Sequence, residues 1–580
     1  ERFGYKRNLR LWMPPLPERF VISELPEFSQ HAYCEGRWPE HDSWSLSAPV
    51  GLCDDPVNQT QIPLYVDFAK DGHLAVCGNA TSGKSTFLQT LIWSLINMYT
   101  PAQLNVYAID YSNHMLQAFE EDKHIGGIMY ENDTEKTEKF FYMISDILKN
   151  RKKTVRGGSF GQYIRAHGYV MPAIVAVIDN YSSFREKTDN KYESIIWELS
   201  RDGAAFGIFL VISSGGFGSS EIQNKIADNI RNVITLDMGD KLRYIDLLRT
   251  SHIDILPEQN RKGRGLVTAD GTILEFQTAV CMEADDDYER SEKIKSACED
   301  MNLHFDGAGA VHVPEIPEKP TWFSLSENPQ FNEALETGDL LPFAYEQKTA
   351  SLYSIDLSDT FCYAISGKSR SGRTETLKVI AAAAAQGNGD LCIIDSPDGQ
   401  LKHFAAKLDS AYVSSREELF DFAKELAETF KTRNRKKREL LESGAEDAEI
   451  YRKMCSERRK WIFVSDFASF LETVYKSGEK IGSMAPFFEN ILEKGRLHNI
   501  YFVFDINTDE TVSMLSRKLY GTVSGYRTGV HLGGALSNQK IFDCSSIPYV
   551  EQTKVYKPGV GMAFDADGAT KIVLPSSKGV

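Results

Sequence analysis

Gly78, Asn79, Ala80, Thr81, Ser82, Gly83, Lys84 and Ser85 follow one another in the order GxxxxGK[ST]. That order suits one job. The two glycines let the chain turn tightly enough for successive backbone N–H groups to wrap a phosphate. The lysine ammonium reaches the β- and γ-phosphates, and the serine hydroxyl meets Mg²⁺, with Thr86 beside it. The loop follows the apolar run HLAVCG and opens the apolar segment STFLQTLIWSLINMY, a helix whose positive end would face the phosphates. ATP with Mg is the expected ligand.

Further candidates follow along the chain. Asp179 closes the apolar run AIVAVID, the place of a carboxylate that partners the ion through Ser85, or, more plainly, caps the next turn. Asn180 comes next, where many motor ATPases carry a glutamate as general base. An amide can orient water but cannot accept its proton. Ser213 and Ser214 end FLVISS, placed either to sense a γ-phosphate or to cap a turn. Lys84, Asp179, Asn180 and Ser214 are therefore expected to bind ATP and to hydrolyse it slowly, or only with help.

The motif is attempted again at Gly367, 289 residues after Gly78, with Gly372, Arg373 and Thr374 in the places of Gly83, Lys84 and Ser85. A planar, forked guanidinium is a poor substitute for a compact ammonium in such a loop. Aligned by residue type, Asp466 ends IFVSD 287 residues after Asp179, and Phe467 then falls on the general-base position. The second site is expected to be degenerate, either binding without turnover or empty.

These pairs belong to a longer series. VYAID matches LCIID at an offset of 285, FGIFLVISS matches HNIYFVFDI at 292, and KGRGLV matches PGVGMA at 296, which indicates a tandem duplication. Each half alternates buried strand-like runs with amphipathic helices. This is the pattern of an α/β fold with a parallel central sheet covered by helices, the ligand lying at the carboxyl ends of the strands. The expected organisation is a proline-rich linker over 1–48 that packs on the first domain, an intact P-loop domain over 49–312 and a degenerate one over 313–580. The boundary lies in VHVPEIPEKPTW. Basic runs at 148–153 and 431–438 read as solvated helix faces or as polyanion contacts. Arg201 and Arg496 precede the sensor strands and are candidates for arginine fingers in trans.

The 580 residues carry a net charge of −16, which argues against a general nucleic-acid binder. The nine cysteines form no CxxC pair, which leaves a metal or disulfide framework unsupported. No apolar run is long enough to span a membrane, and no signal peptide is evident. The chain begins at Glu1, so a fragment of a longer protein is expected.

LWMPPLP, APVGLCDDPVNQTQIPLYVDFAKDGHLAVCGNATSGKSTFLQTL, VYAIDYSNHMLQAF and SGKSRSGRTETL together resemble the EssC/EccC family, the FtsK/SpoIIIE-type ATPases of type VII secretion. The resemblance implies the second and third ATPase domains of such a protein, the cytoplasmic portion of a plasma-membrane polypeptide. It also implies WXG100 substrates, other secretion components as partners, and a hexameric assembly. The alternatives are a non-catalytic scaffold and, against the acidic charge, a DNA translocase.

Overall fold

The computed structural model describes residues 13–41 and 43–580; residues 1–12, which include the start of the LWMPPLP segment, lie outside the described residues. The chain divides into two compact units, Glu1–Pro314 and Glu315–Val580.

In the first unit the strands are β1 (Ser47–Asp55), β2 (Thr60–Asp67), β3 (Leu74–Cys77), β4 (Leu104–Asp110), β5 (Ile125–Met129), β6 (Ala173–Asp179), β7 (Ile208–Ser214), β8 (Asn232–Leu236), β9 (Arg264–Ala269) and β10 (Thr272–Thr278). They form one sheet in the order β2-β1-β10-β9-β8-β3-β7-β6-β4-β5. In the second unit β11 (Leu340–Glu346), β12 (Leu352–Asp356), β13 (Cys362–Gly367), β14 (Asp390–Ile394), β15 (Ala411–Val413), β16 (Lys460–Val464), β17 (Ile500–Asn507), β18 (Gly529–Leu532), β19 (Val560–Asp565) and β20 (Gly568–Val573) repeat that order as β12-β11-β20-β19-β18-β13-β17-β16-β14-β15. Each sheet is parallel from β8 to β5, or from β18 to β15, and antiparallel beyond β8 or β18.

The central strands β4, β6 and β7 are buried along their whole length. Strands covered by helices on both faces need continuous apolar runs, and these strands have them. Helix Lys84–Met98 packs so deeply that every residue from Phe87 to Met98 is buried. Its counterpart Arg373–Gln386 achieves the same close fit with a run of alanines.

The basic runs turn partly inward. Arg151, on helix Thr134–Thr154, is buried and donates to the carbonyls of Phe206, Gly207 and Pro172. Arg433, on helix Arg416–Glu442, donates to those of His498, Asn499 and Arg458. Both guanidinium groups tie together the amino-terminal ends of two neighbouring strands, so the duplication extends to individual hydrogen bonds. Burial pulls the Arg151 guanidinium down to about 10.

Ahead of the first sheet, Trp38 Nε1 donates to Ile96 O at 2.8 Å, and the carbonyls of Leu16 and Pro17 accept from Arg264 at 3.2 and 3.0 Å. Among the described residues no helix is long and apolar enough to cross a membrane.

Candidate functional site

The loop from Gly78 to Ser85 leaves the carboxyl end of β3 and enters helix Lys84–Met98. Thr81 has φ +65° and Gly83 has φ +107°, left-handed conformations that bend the backbone into a cradle. A Cβ on Gly83 would stand 2.9 Å from the backbone N of Gly263, so that glycine is required by contact as well as by conformation.

A cleft of about 620 Å³ opens over this loop, within the range of small-molecule sites. It is lined by residues 78–81 and 83–86 of the loop, and by Asp179, Asn180 and Ser214. Ser82 is buried beneath it.

Lys84 Nζ donates to the carbonyls of Gly78 and Asn79 at 2.8 Å each. Ser85 Oγ donates to Asp179 Oδ2 at 2.7 Å, and Ser213 Oγ donates to Oδ1. Burial pushes the Asp179 carboxyl above its usual range, and the two serines oppose that shift. Burial likewise lowers Lys84, against the pull of Asp179. Asn180 has φ +62°, caps helix Tyr181–Lys187 through Ser183 N and donates to Tyr111 O at 3.0 Å. A hydroxyl and a carboxylate joined at a phosphate cradle, beside one ammonium, fit a nucleotide with Mg²⁺.

Other cleft residues were missed in the sequence because they lie on connections and helices that carry no motif. Glu221 accepts from Ser182, from Ser214 at 2.5 Å and from Gly215 N at 3.0 Å. Burial alone would raise its carboxyl, but those hydrogen bonds bring it below the usual value. Arg243 bridges Asn79 Oδ1 at 2.9 Å and Gly215 O at 2.8 Å. Lys262 and Asp287 complete the wall.

The second loop has the same backbone path, with φ +64° at Arg370 and +99° at Gly372. What differs is chemistry. Arg373 forms an ion pair with Asp505 and reaches Lys368 O at 3.4 Å through Nε. Burial pushes the Asp505 carboxyl up to about 7, against Arg373, while Asp466 adds to the rise and a hydrogen bond with Thr374 opposes it.

Strand register corrects the residue-type alignment. Ile178 faces Ile212 and Ala75 faces Ile212 in the first sheet; Val464 faces Phe504 and Ala364 faces Phe504 in the second. Asp179 is therefore matched by Ser465, Asn180 by Asp466, and Ser213 by Asp505. Asp466 is not the counterpart of Asp179: it caps helix Phe467–Tyr475 through Ser469 N at 3.1 Å, as Asn180 caps its own helix. Phe467 does not occupy the general-base position. It is fully buried, matching Tyr181 in the core. Matching carboxylate to carboxylate shifted the reading by one residue, whereas the hydrogen-bonded ladder counts backbone positions.

Arg201 and Arg496 lie before β7 and β17, at the end of the sheet opposite their own loops. Arg201 is exposed, pairs with Asp202 and lies over Trp197; Arg496 is 3.9 Å from Asp447.

A second feature lies at the β5 edge. Ala310 N donates to Lys123 O at 2.7 Å, Val313 N donates to Gly126 O at 2.8 Å, and Tyr107 Oη donates to Val311 O at 2.6 Å. Val313 is buried among the core residues that include Tyr107 and Phe140. By register, Tyr107 corresponds to Cys392; by the paired arginines Arg151 and Arg433, Phe140 corresponds to Phe422. There the second unit has a groove of about 410 Å³, lined by Cys392, Phe422, Leu408, Ala411 and Trp461.

Residues 40–280 match the model of the FtsK/SpoIIIE family. That match covers most of the first unit and less than half of the chain. The chain is similar to the type VII secretion system protein EssC of Staphylococcus aureus (strain MRSA252), 25% identical over 355 residues, which are 60% of this chain and 23% of that protein. It spans about a quarter of the length of the curated relatives it matches. In fold, it is similar to EssC (ATPases 2 and 3) from Geobacillus thermodenitrificans, with a TM-score of 0.75 and 21% identity over 97% of this chain and all of that one. It is also similar to Thermomonospora curvata EccC (ATPases 2 and 3), solved in complex with a signal sequence peptide. That likeness has a TM-score of 0.56 and 20% identity, over 98% of this chain and 97% of that one. Both units thus have the tandem ATPase fold of EssC and EccC proteins.

Proposed function

We propose that this chain is the ATP-binding and substrate-engaging part of a type VII secretion motor. In this reading the FtsK/SpoIIIE unit holds ATP with Mg²⁺, and the second unit has given up nucleotide chemistry to receive an exported protein. The observation that carries it is the contrast between two cradles of one backbone path, one presenting Lys84, Ser85 and Asp179, the other filled by the Arg373–Asp505 pair.

Gly78 through Gly83 wrap the phosphates with backbone N–H groups, Lys84 reaches the β- and γ-oxygens, and Thr86 lies beside the nucleotide. Ser85 and Asp179 would hold the magnesium, which would neutralise charge building on the phosphates. Asn180 orients water and Ser214 senses the γ-phosphate. Hydrolysis is slow, or assembly-dependent if Arg201 or Arg496 reaches the site of a neighbouring copy in a hexamer.

The groove at β15 supports the substrate role. Its counterpart at β5 takes the chain's own extended segment 310–313 through backbone hydrogen bonds and one buried valine, which is how a sheet edge receives a peptide. The signal sequence peptide bound by the T. curvata neighbour is the kind of ligand that would fit. The expected occupant is the carboxyl-terminal signal of a WXG100-type protein, presented where the full-length protein meets other secretion components at the plasma membrane. A scaffold role for the second unit is favoured by its own ion pair; a DNA translocase finds no supporting feature.

Calorimetry with ATP-Mg²⁺ tests the division of labour. One binding event, weakened in Lys84→Ala and kept in Arg373→Ala, supports it; two events would mean that the second cradle is alive. Fluorescence titration of a WXG100 carboxyl-terminal peptide tests the groove. Equal affinity for wild type and Phe422→Asp would remove the substrate role from this site.

A further inference from the structure

The cleft lacks a carboxylate at Asn180, yet three acidic residues line it: Asp179, Glu221 and Asp287. Asp179 has both oxygens engaged, Oδ2 by Ser85 and Oδ1 by Ser213. Asp287 has its side chain 69% exposed and is paired with Arg290. Glu221 differs from both. The hydroxyls of Ser182 and Ser214 and the N–H of Gly215 all converge on Oε2, and Oε1 takes none of these bonds.

A carboxylate fixed through one oxygen and open at the other is an oriented proton acceptor. Gly215 is part of the arrangement: a Cβ there would come within 2.7 Å of Oε1. Ser182 lies in the first turn of helix Tyr181–Lys187, which Asn180 caps, and Ser214 ends β7, so the helix that follows Asn180 and the strand beside β6 together hold Glu221.

We infer that Glu221 is the catalytic base of the first site, supplying from the connection after β7 what Asn180 cannot. This rests on the reading of that cleft as an ATP site. Oε1 accepts a proton from the attacking water as its oxygen bonds to the γ-phosphorus. The bond from that phosphorus to the β,γ-bridging oxygen breaks, and ADP leaves with the electron pair. The proton then returns from the carboxyl to solvent. Asn180 orients the water, and Arg243, tied to Asn79 and Gly215, holds the phosphate loop against the Glu221 loop.

The test is Glu221→Gln in the full chain. The amide oxygen can still accept from Ser182, Ser214 and Gly215, while the proton-accepting oxygen is gone. Expected are ATP-Mg²⁺ affinity by calorimetry within about threefold of wild type, an unchanged ATP-induced thermal shift, and kcat lower by about 100-fold or more. Bound ATP should be recovered intact by chromatography after incubation. Glu221→Asp, which keeps a displaced carboxylate, should retain part of the rate and serves if the glutamine variant fails to fold.

Wild-type turnover in Glu221→Gln would overturn the assignment. So would a wild-type chain that binds ATP without turning it over, although the nucleotide-binding reading would then stand. A wild-type chain that binds no ATP would overturn both.

Discussion

Arg373 is ion-paired with Asp505, the residues standing where the first unit has Lys84 and Ser213. The second cradle is thus filled by the protein's own charges. The Arg373 side chain is 15% exposed and that of Asp505 2%, so the pair is largely withdrawn from water. For such a pair the desolvation cost can exceed the attraction between the charges. The raised carboxyl of Asp505 is the sign of that imbalance.

Breaking the pair on one side should therefore be costly. Asp505→Ala leaves a largely buried guanidinium without its charged partner and is expected to lower stability by about 3 kcal/mol or more. Replacing both partners by apolar residues, Arg373→Met with Asp505→Leu, should recover most of that loss. Denaturant unfolding of the full chain measures both; equal loss in the single and double variants would contradict the account.

The same pair makes a pH prediction. Asp505 is raised from 3.8 to about 7 in the folded chain, so between those values the folded state holds more protons than the unfolded one. The stability contributed by this group then falls as pH rises through that window, by at most about 1.4 kcal/mol per pH unit. Asp505→Asn should flatten the profile between pH 4 and 7. An unchanged slope would place the titration elsewhere.

Lys84→Ala should weaken ATP binding by about 10- to 100-fold, the worth of a charge-assisted hydrogen bond to phosphate. Arg373→Ala should leave nucleotide affinity untouched. Calorimetry of the two variants against wild type decides between one working cradle and two.

Arg151 and Arg433 each satisfy three backbone carbonyls. Truncation to alanine should cost about 3 kcal/mol in either half, since buried acceptors lose their partners. Polyanion affinity should not change with these two residues, because their guanidinium groups point inward. A salt-dependent loss of polyanion binding in Arg151→Ala would restore the surface reading.

Much was legible from residue order. The glycine spacing around Lys84 and the apolar runs on either side settle a phosphate loop between a buried strand and a helix, because few other structures need that pattern. Drifting offsets between the halves disclosed the duplication, since each half has to rebuild the same sheet. Asp505 was also visible in principle: an acidic residue inside FVFDIN, a buried strand, needs a partner.

Other features depended on the folded chain. Asp466 and Phe467 were misaligned by one position because residue types do not report register, whereas interstrand hydrogen bonds do. Glu221 reaches the cleft from a glycine- and serine-rich connection that has no motif of its own, and only the fold brings Ser182, Ser214 and Gly215 to one of its oxygens. The groove at β15 is recognisable because segment 310–313 covers its counterpart, a relation between residues about 200 positions apart. By itself the sequence determined which backbone would cradle a phosphate, since that depends on local conformation. Tertiary structure decided which cradle stays open, because that turns on partners brought together from distant strands.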